Sequence, residues 1–183
     1  MSEKEELFEQ QISSEQIFDG VILHVYKDLV ILPNGKEATR ELLRHSGAVA
    51  IVPITDDGNV IMERQFRYPL ERVITEIPAG KLDGPDEDRL DAAKRELKEE
   101  TGLIADNWEN IGDYYPAAAY TSERITIYIA TGLHRQERDL DEDEFINIFE
   151  EPLADLLDKV MSGEITDGKT IAGILKAARK YNI

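Results

Sequence analysis

Three glutamates at Glu96, Glu99 and Glu100 constrain this chain more than any other feature. Residues at i, i+3 and i+4 lie on one face of a helix, so the spacing predicts a helix whose carboxylates crowd within about 100° of arc. Leu90, Ala93 and Leu97 form an apolar stripe beside them, which lets the helix dock on a core while presenting hard oxygen ligands. Like charges at this spacing repel and weaken an isolated helix; a bound cation relieves them. Carboxylates suit Mg²⁺ or Mn²⁺, and Mg²⁺ binds through a few carboxylates plus substrate phosphates. A bare acidic run is as readily a solvated helix face, so the residues around the acids must separate the two readings. Asp83-Gly84-Pro85-Asp86 is a turn that delivers the chain into the helix. Thr101-Gly102 is a stop at which glycine takes the left-handed conformation.

From Glu87 to Leu103, the residues Glu87, Arg95, Glu96, Leu97, Glu99, Glu100, Gly102 and Leu103 resemble the complete signature of the Nudix hydrolases. One departure stands at the front, where six residues rather than five separate Gly80 from Glu87. The extra residue falls in the Asp83–Asp86 turn, where an insertion is tolerated most easily. Gly47-Ala-Val-Ala50, Arg64-Gln-Phe-Arg67, Glu76-Ile-Pro-Ala-Gly-Lys81, Tyr120-Thr-Ser-Glu123 and Leu140-Asp-Glu-Asp-Glu-Phe145 resemble the ADP-ribose pyrophosphatase branch of that superfamily.

The resemblance implies an α+β fold: a Nudix-like α/β/α sandwich with a mixed sheet (46–183), plus an N-terminal antiparallel β segment (1–45). In that branch the β segment is exchanged between the subunits of a homodimer. The implied activity is Mg²⁺-dependent hydrolysis of ADP-ribose to AMP and ribose 5-phosphate. The alternatives are another nucleoside diphosphate derivative (GDP-mannose, flavin adenine dinucleotide) or a catalytically silent nucleotide-binding module. Glu96 and Glu100 are the implied metal ligands, with Glu99 a ligand or its neighbour and the Ala79 carbonyl completing one site. Glycine at 80 would let that carbonyl approach the metal. Glu87 pairs with Arg95 in this reading. The general base is implied on the 141–144 loop, Glu142 first and Glu144 second. A base carried on a loop can close over bound substrate. Arg40 and Arg67 match arginines that meet the nucleotide or its phosphates, and a guanidinium offers phosphate a bidentate fork. The competing reading for each is an ion pair with one of the chain's many acids. Glu123 resembles an acid near the terminal ribose or a second metal.

The 139–150 segment has a rival reading as a calcium loop, with Asp139, Asp141, Asp143, Ile146 and Glu150 at positions 1, 3, 5, 8 and 12. Glu144, however, stands where such a loop needs glycine.

Composition narrows the class. At 183 residues and 42% hydrophobic, the chain can bury a sizeable core unaided. It has no cysteine, which excludes a disulfide framework, a thiol nucleophile and a Cys-based zinc site. The net charge of −17 repels a nucleic-acid backbone and leaves no basic stripe to bind one. A small anionic nucleotide can still bind where metal and local arginines neutralise it. The acidic N-terminus is unlike a secretory signal, and no run approaches a membrane span, so a cytoplasmic location is expected.

Along the chain, residues 1–14 read as a polar, helical or frayed arm. Gln16 to Arg44 alternates apolar and polar residues, with Val21, Leu23 and Val25 in one run and Leu29–Leu32 in the next, and Pro33-Asn34-Gly35-Lys36 is a hairpin turn. Asp56-Asp57-Gly58-Asn59 reads as a second hairpin. Further strands are expected at Val73–Pro78, Ile111–Tyr115, Ile125–Ala130 and Phe145–Phe149, with helices over Leu153–Met161 and Lys169–Tyr181.

Overall fold

A computed structural model of the chain describes residues 6–84, 86–136 and 145–183. The chain forms two compact units, Met1–Ser46 with Ala117–Glu123, and Gly47–Pro116 with Arg124–Ile183.

The first unit is a three-stranded antiparallel sheet in the order β1-β2-β3, from β1 (Gln10–Asp19), β2 (His24–Ile31) and β3 (Glu37–Leu43). Asn34-Gly35 turns β2 into β3 as expected. Gly35 adopts φ 78°, and its N–H reaches the Leu32 carbonyl at 2.8 Å. Two expectations change here. Residues 10–14 are not a frayed arm but the start of β1, with Gln11 opposite Val30. A strand edge carries unmet N–H and C=O groups, and pairing outweighs the polar character of the segment. Val21 is not in a strand; it sits 94% exposed in the turn from β1 to β2, closed by the Gly20 N–H on the Leu23 carbonyl at 2.9 Å.

The second unit holds two sheets. One is mixed, in the order β7-β4-β9-β8, and the other antiparallel, in the order β10-β5-β6. Their strands are β4 (Ala48–Pro53), β5 (Asn59–Arg67), β6 (Arg72–Glu76), β7 (Ala79–Lys81), β8 (Leu103–Tyr114), β9 (Ile125–Arg135) and β10 (Ile146–Pro152). Among the described residues three α-helices accompany them: α1 (Arg89–Thr101), α2 (Leu153–Ser162) and α3 (Gly168–Tyr181). Strand β4 is buried throughout, and its alternation splits the core. Val49 and Ile51 pack with Ala92, Ala93 and Leu97 of α1. Ala48, Ala50 and Val52 face the other way, into a cluster with Met62 of β5, Leu156 of α2 and Ile174 of α3. A strand covered on both faces reads as a continuous apolar run, as Ala48–Ile54 does. The α+β sandwich expected from the sequence is therefore the observed architecture.

The turn at Asp56–Asn59 differs from a simple hairpin. Gly58 (φ 81°) does close it, but only the single bridge Ile54–Val60 joins the two strands. Strand β4 pairs with β7 and β9, while β5 leaves for the other sheet. Strand β4 is apolar and buried throughout, so it lies inside the mixed sheet, whereas β5 turns polar after Met62.

Candidate active site

Helix α1 is fixed at both ends by local chemistry. Asp88 caps its start, accepting from the N–H groups of Leu90 (2.9 Å) and Asp91 (3.1 Å). Gly102, at φ 67°, ends it with an N–H on the Lys98 carbonyl at 2.8 Å. Burial of Ala92, Ala93 and Leu97 then decides how the helix is rotated. Glu96 and Glu100 come to lie beside that stripe, 8% and 4% exposed, with Glu99 half-buried.

Both buried carboxylates close on one short stretch of backbone. Glu100 accepts from the Ala79 N–H at 2.9 Å. A Cβ placed on Gly80 would stand 2.0 Å from the Glu96 carboxyl carbon, so glycine is the residue that admits this group. The expected role of Gly80 is to let the Ala79 carbonyl approach a metal; what it admits in this structure is the Glu96 carboxylate.

Arg95 lies among these acids. Its Nη1 donates to Glu96 (2.8 Å) and Glu99 (3.0 Å), and its Nε to Glu87 (3.3 Å). Burial alone would push the guanidinium pKa down; the carboxylates of Glu87, Glu96 and Glu99 outweigh it and raise it. Burial likewise pushes Glu87 up, but the Asp83 N–H and Arg95 hold it below the ordinary carboxylate range. The Asp83 N–H meets Glu87 at 2.7 Å, which fastens the turn that carries the extra residue.

With Arg95 supplying the positive charge, no three acidic or histidine side chains among the described residues are gathered as a ready metal cage. The donor set nonetheless fits a hard divalent cation. Two buried carboxylates, a third beside them and a glycine cradle surround the 79–80 backbone. Such a cluster can bind a cation and lay an anionic ligand across it.

A second ionic network, which the sequence reading missed, lies on β5, β6 and α3. Glu76 is 1% exposed and takes a side-on fork from Arg67, Nε at 2.6 Å and Nη2 at 2.8 Å. The Lys169 ammonium bonds the same carboxylate and also Asp167 at 3.2 Å. Burial raises the Glu76 pKa, and the Arg67 fork with Lys169 outweighs it, so the carboxyl stays below its usual range. Glu63, fully buried, faces Glu76 across the ladder. The available signals were faint: a charge inside the apolar run Val60-Ile-Met-Glu63, and a lysine just after the helix-capping Asp167.

The remaining expected residues divide between the units. Arg40, in the first, is held by Glu9 through Nε (2.8 Å) and Nη2 (2.5 Å). It lines a cavity of about 480 Å³ with Asp28, Tyr120 and Thr121. Glu123, in the same unit, lies 3.9 Å from His45. Both arginine forks thus engage carboxylates in this structure. Glu142 and Glu144, with the rest of the 137–144 segment, lie outside the described residues, as do most of the calcium-loop positions. A further cavity of about 540 Å³ borders the end of α1, lined by Thr101, Gly102, Arg135, Gln136 and Phe149.

The family model of the NUDIX domain matches residues 44–172, and that of the nucleoside diphosphate sugar hydrolase N-terminal domain matches residues 9–43. The chain is 44% identical to an ADP-ribose pyrophosphatase of Bacillus subtilis, over 92% of this chain and 91% of that one. It is 40% identical to a methanol dehydrogenase activator of Bacillus methanolicus, over 92% of each. A crystal structure of an ADP compounds hydrolase superposes with a TM-score of 0.83 at 25% identity, covering 94% of this chain and 93% of the other.

Proposed function

The chain belongs to the Nudix family of hydrolases, and from that premise we propose that it cleaves the pyrophosphate bond of ADP-ribose to AMP and ribose 5-phosphate with Mg²⁺. The observation that carries this reading is the closure of buried Glu96 and Glu100 on the Ala79–Gly80 backbone. The ADP-ribose pyrophosphatase among its relatives supports the substrate.

A divalent cation in this place supplies charge screening for two phosphates and a lowered pKa for attacking water. Mn²⁺ can replace Mg²⁺ on such oxygen donors. Glu96, Glu100 and the Ala79 carbonyl would hold it, with Glu99 as a further ligand or a proton acceptor at its carboxylate. Arg95 and Glu87 keep those carboxylates in register. Glu142, or failing it Glu144, takes the proton from water as general base. Arg40 and Arg67 steady the nucleotide and its phosphates, and Glu123 the terminal ribose. The protein works as a cytoplasmic homodimer through the β1–β3 unit. The exposed Ile12, Ile17 and Phe18 of β1 support that assembly, since apolar surface on an edge strand invites pairing. Among the described residues no helix is long and apolar enough to cross a membrane.

The test is incubation of pure protein with ADP-ribose and Mg²⁺, with GDP-mannose and flavin adenine dinucleotide in parallel. AMP release from ADP-ribose with the highest kcat/KM is expected. Turnover of another member of the panel with no AMP from ADP-ribose would overturn the substrate.

A further inference from the structure

Lys169 breaks two local rules at once. It is 8% exposed, although a buried ammonium is costly unless paired. It also sits in the first turn of α3, where the helix dipole disfavours a cation. Simultaneous violations of this kind mark places where function or strain overrides local preference. The surrounding bonds explain how the lysine is tolerated. Its ammonium meets Glu76 and Asp167. Asp167 also accepts from the Thr170 N–H (2.9 Å) and hydroxyl (2.6 Å). Thr170 in turn accepts from the Ile77 N–H at 2.9 Å. The first turn of α3 is thereby fastened to the end of β6, beside Glu76.

The balance of charge gives the consequence. Glu63, Glu76 and Asp167 are the acids of this cluster, and Arg67 and Lys169 its cations. Arg67 meets Glu76 side-on, through Nε and Nη2. A guanidinium has five N–H donors, and among the described residues these two bonds leave the Nη1 edge for another acceptor. The Arg67 side chain is 39% exposed, so that edge can reach a ligand. Without Lys169, Arg67 would face these acids alone and be drawn towards them.

We propose that Lys169 is a positioning residue: it neutralises Glu76 from the core side and so keeps the outer edge of Arg67 available to the phosphates of a nucleoside diphosphate. This rests on the reading that Arg67 meets the substrate. The lysine itself touches no reacting group; it acts through Glu76 and Arg67.

A double-mutant cycle with ADP-ribose and saturating Mg²⁺ tests it. Lys169→Met should raise KM about tenfold while kcat changes less than about threefold, the pattern of lost uniform binding. In the Arg67→Ala background the same change should move KM less than about twofold, because the two residues act as one unit. A merely structural lysine would lower Tm and reduce the active fraction, changing kcat but not KM, and equally in both backgrounds. An unchanged KM, or equal KM effects in both backgrounds, overturns the proposal. Lys169→Gln repeats the test if the methionine variant does not fold by circular dichroism. If neither folds, the lysine serves stability alone and the proposal falls. Failure of the substrate reading is separable. It shows as absent AMP with wild-type protein, and the cycle is then run on the nucleoside diphosphate derivative that is hydrolysed.

Discussion

At Gly80 one added carbon decides whether the Glu96 carboxylate can lie over the backbone, since that carbon would stand 2.0 Å from the carboxyl carbon. Gly80→Ala should therefore displace Glu96 and lower kcat by about 100-fold, a loss of about 2.7 kcal/mol in transition-state binding. Its Tm should fall by only a few degrees, because the site borders solvent and can relax. Steady-state kinetics beside a thermal melt separate the two effects. Glu76 yields a pH prediction. Its folded pKa is depressed, so its stabilising contribution is present above the unfolded value of about 4.3 and is lost as pH falls through the folded value. Glu76→Gln should cost about 3 kcal/mol at pH 7, because it leaves the buried Lys169 ammonium with Asp167 alone. The gap to wild type should narrow below about pH 4. Denaturant melts at pH 7 and pH 3.5 measure it. At this scale the sequence exposed the acids with fixed spacing, Glu96, Glu99 and Glu100. It concealed the partners of Arg67, because contacts such as Lys169 to Glu76, 93 residues apart, have no local signal.

Helix α1 shows why some elements are legible. Its rotation follows from a short apolar stripe, and its ends from Asp88 and Gly102, all within one 15-residue stretch. Asp88→Ala should cost about 1 kcal/mol through the lost cap. It should leave KM unaltered, since Glu96 and Glu100 sit about two and three turns further on; denaturant titration and kinetics check both halves. The Asn34-Gly35 hairpin was legible for the same reason, with turn chemistry and register written side by side. The second turn, at Gly58, was legible as a turn but not as a parting of sheets. Which partner β4 takes depends on β7 and β9, which lie far along the chain. The start of strand β1 was hidden because its residues are exposed throughout, so burial imposes no alternation on them.

For the whole molecule, the net charge of −17 makes a polyanionic partner unfavourable, and the anion this site can take is small and brings or meets a cation. The proposed homodimer would pair through β1, where Ile12 (51%), Ile17 (50%) and Phe18 (56%) are exposed. Sedimentation equilibrium should give twice the 20.7 kDa chain mass, and Phe18→Asp should shift it towards one, since a charge in an apolar interface is left unpaired. The carboxylate helix is legible in the amino-acid pattern and the sandwich through the family resemblance, whereas the proposed general base belongs to a segment, 137–144, outside the described residues. The proposed chemistry turns on Glu96 and Glu100 holding a divalent cation at which a diphosphate is cleaved. The decisive measurement is the rate of AMP release from ADP-ribose by wild type and Glu100→Gln, each with Mg²⁺ and with excess chelator. Turnover is expected only for wild type with Mg²⁺, with a fall of at least about 100-fold in the other three cases. Undiminished release with chelator, or from Glu100→Gln, would refute the role given to these carboxylates.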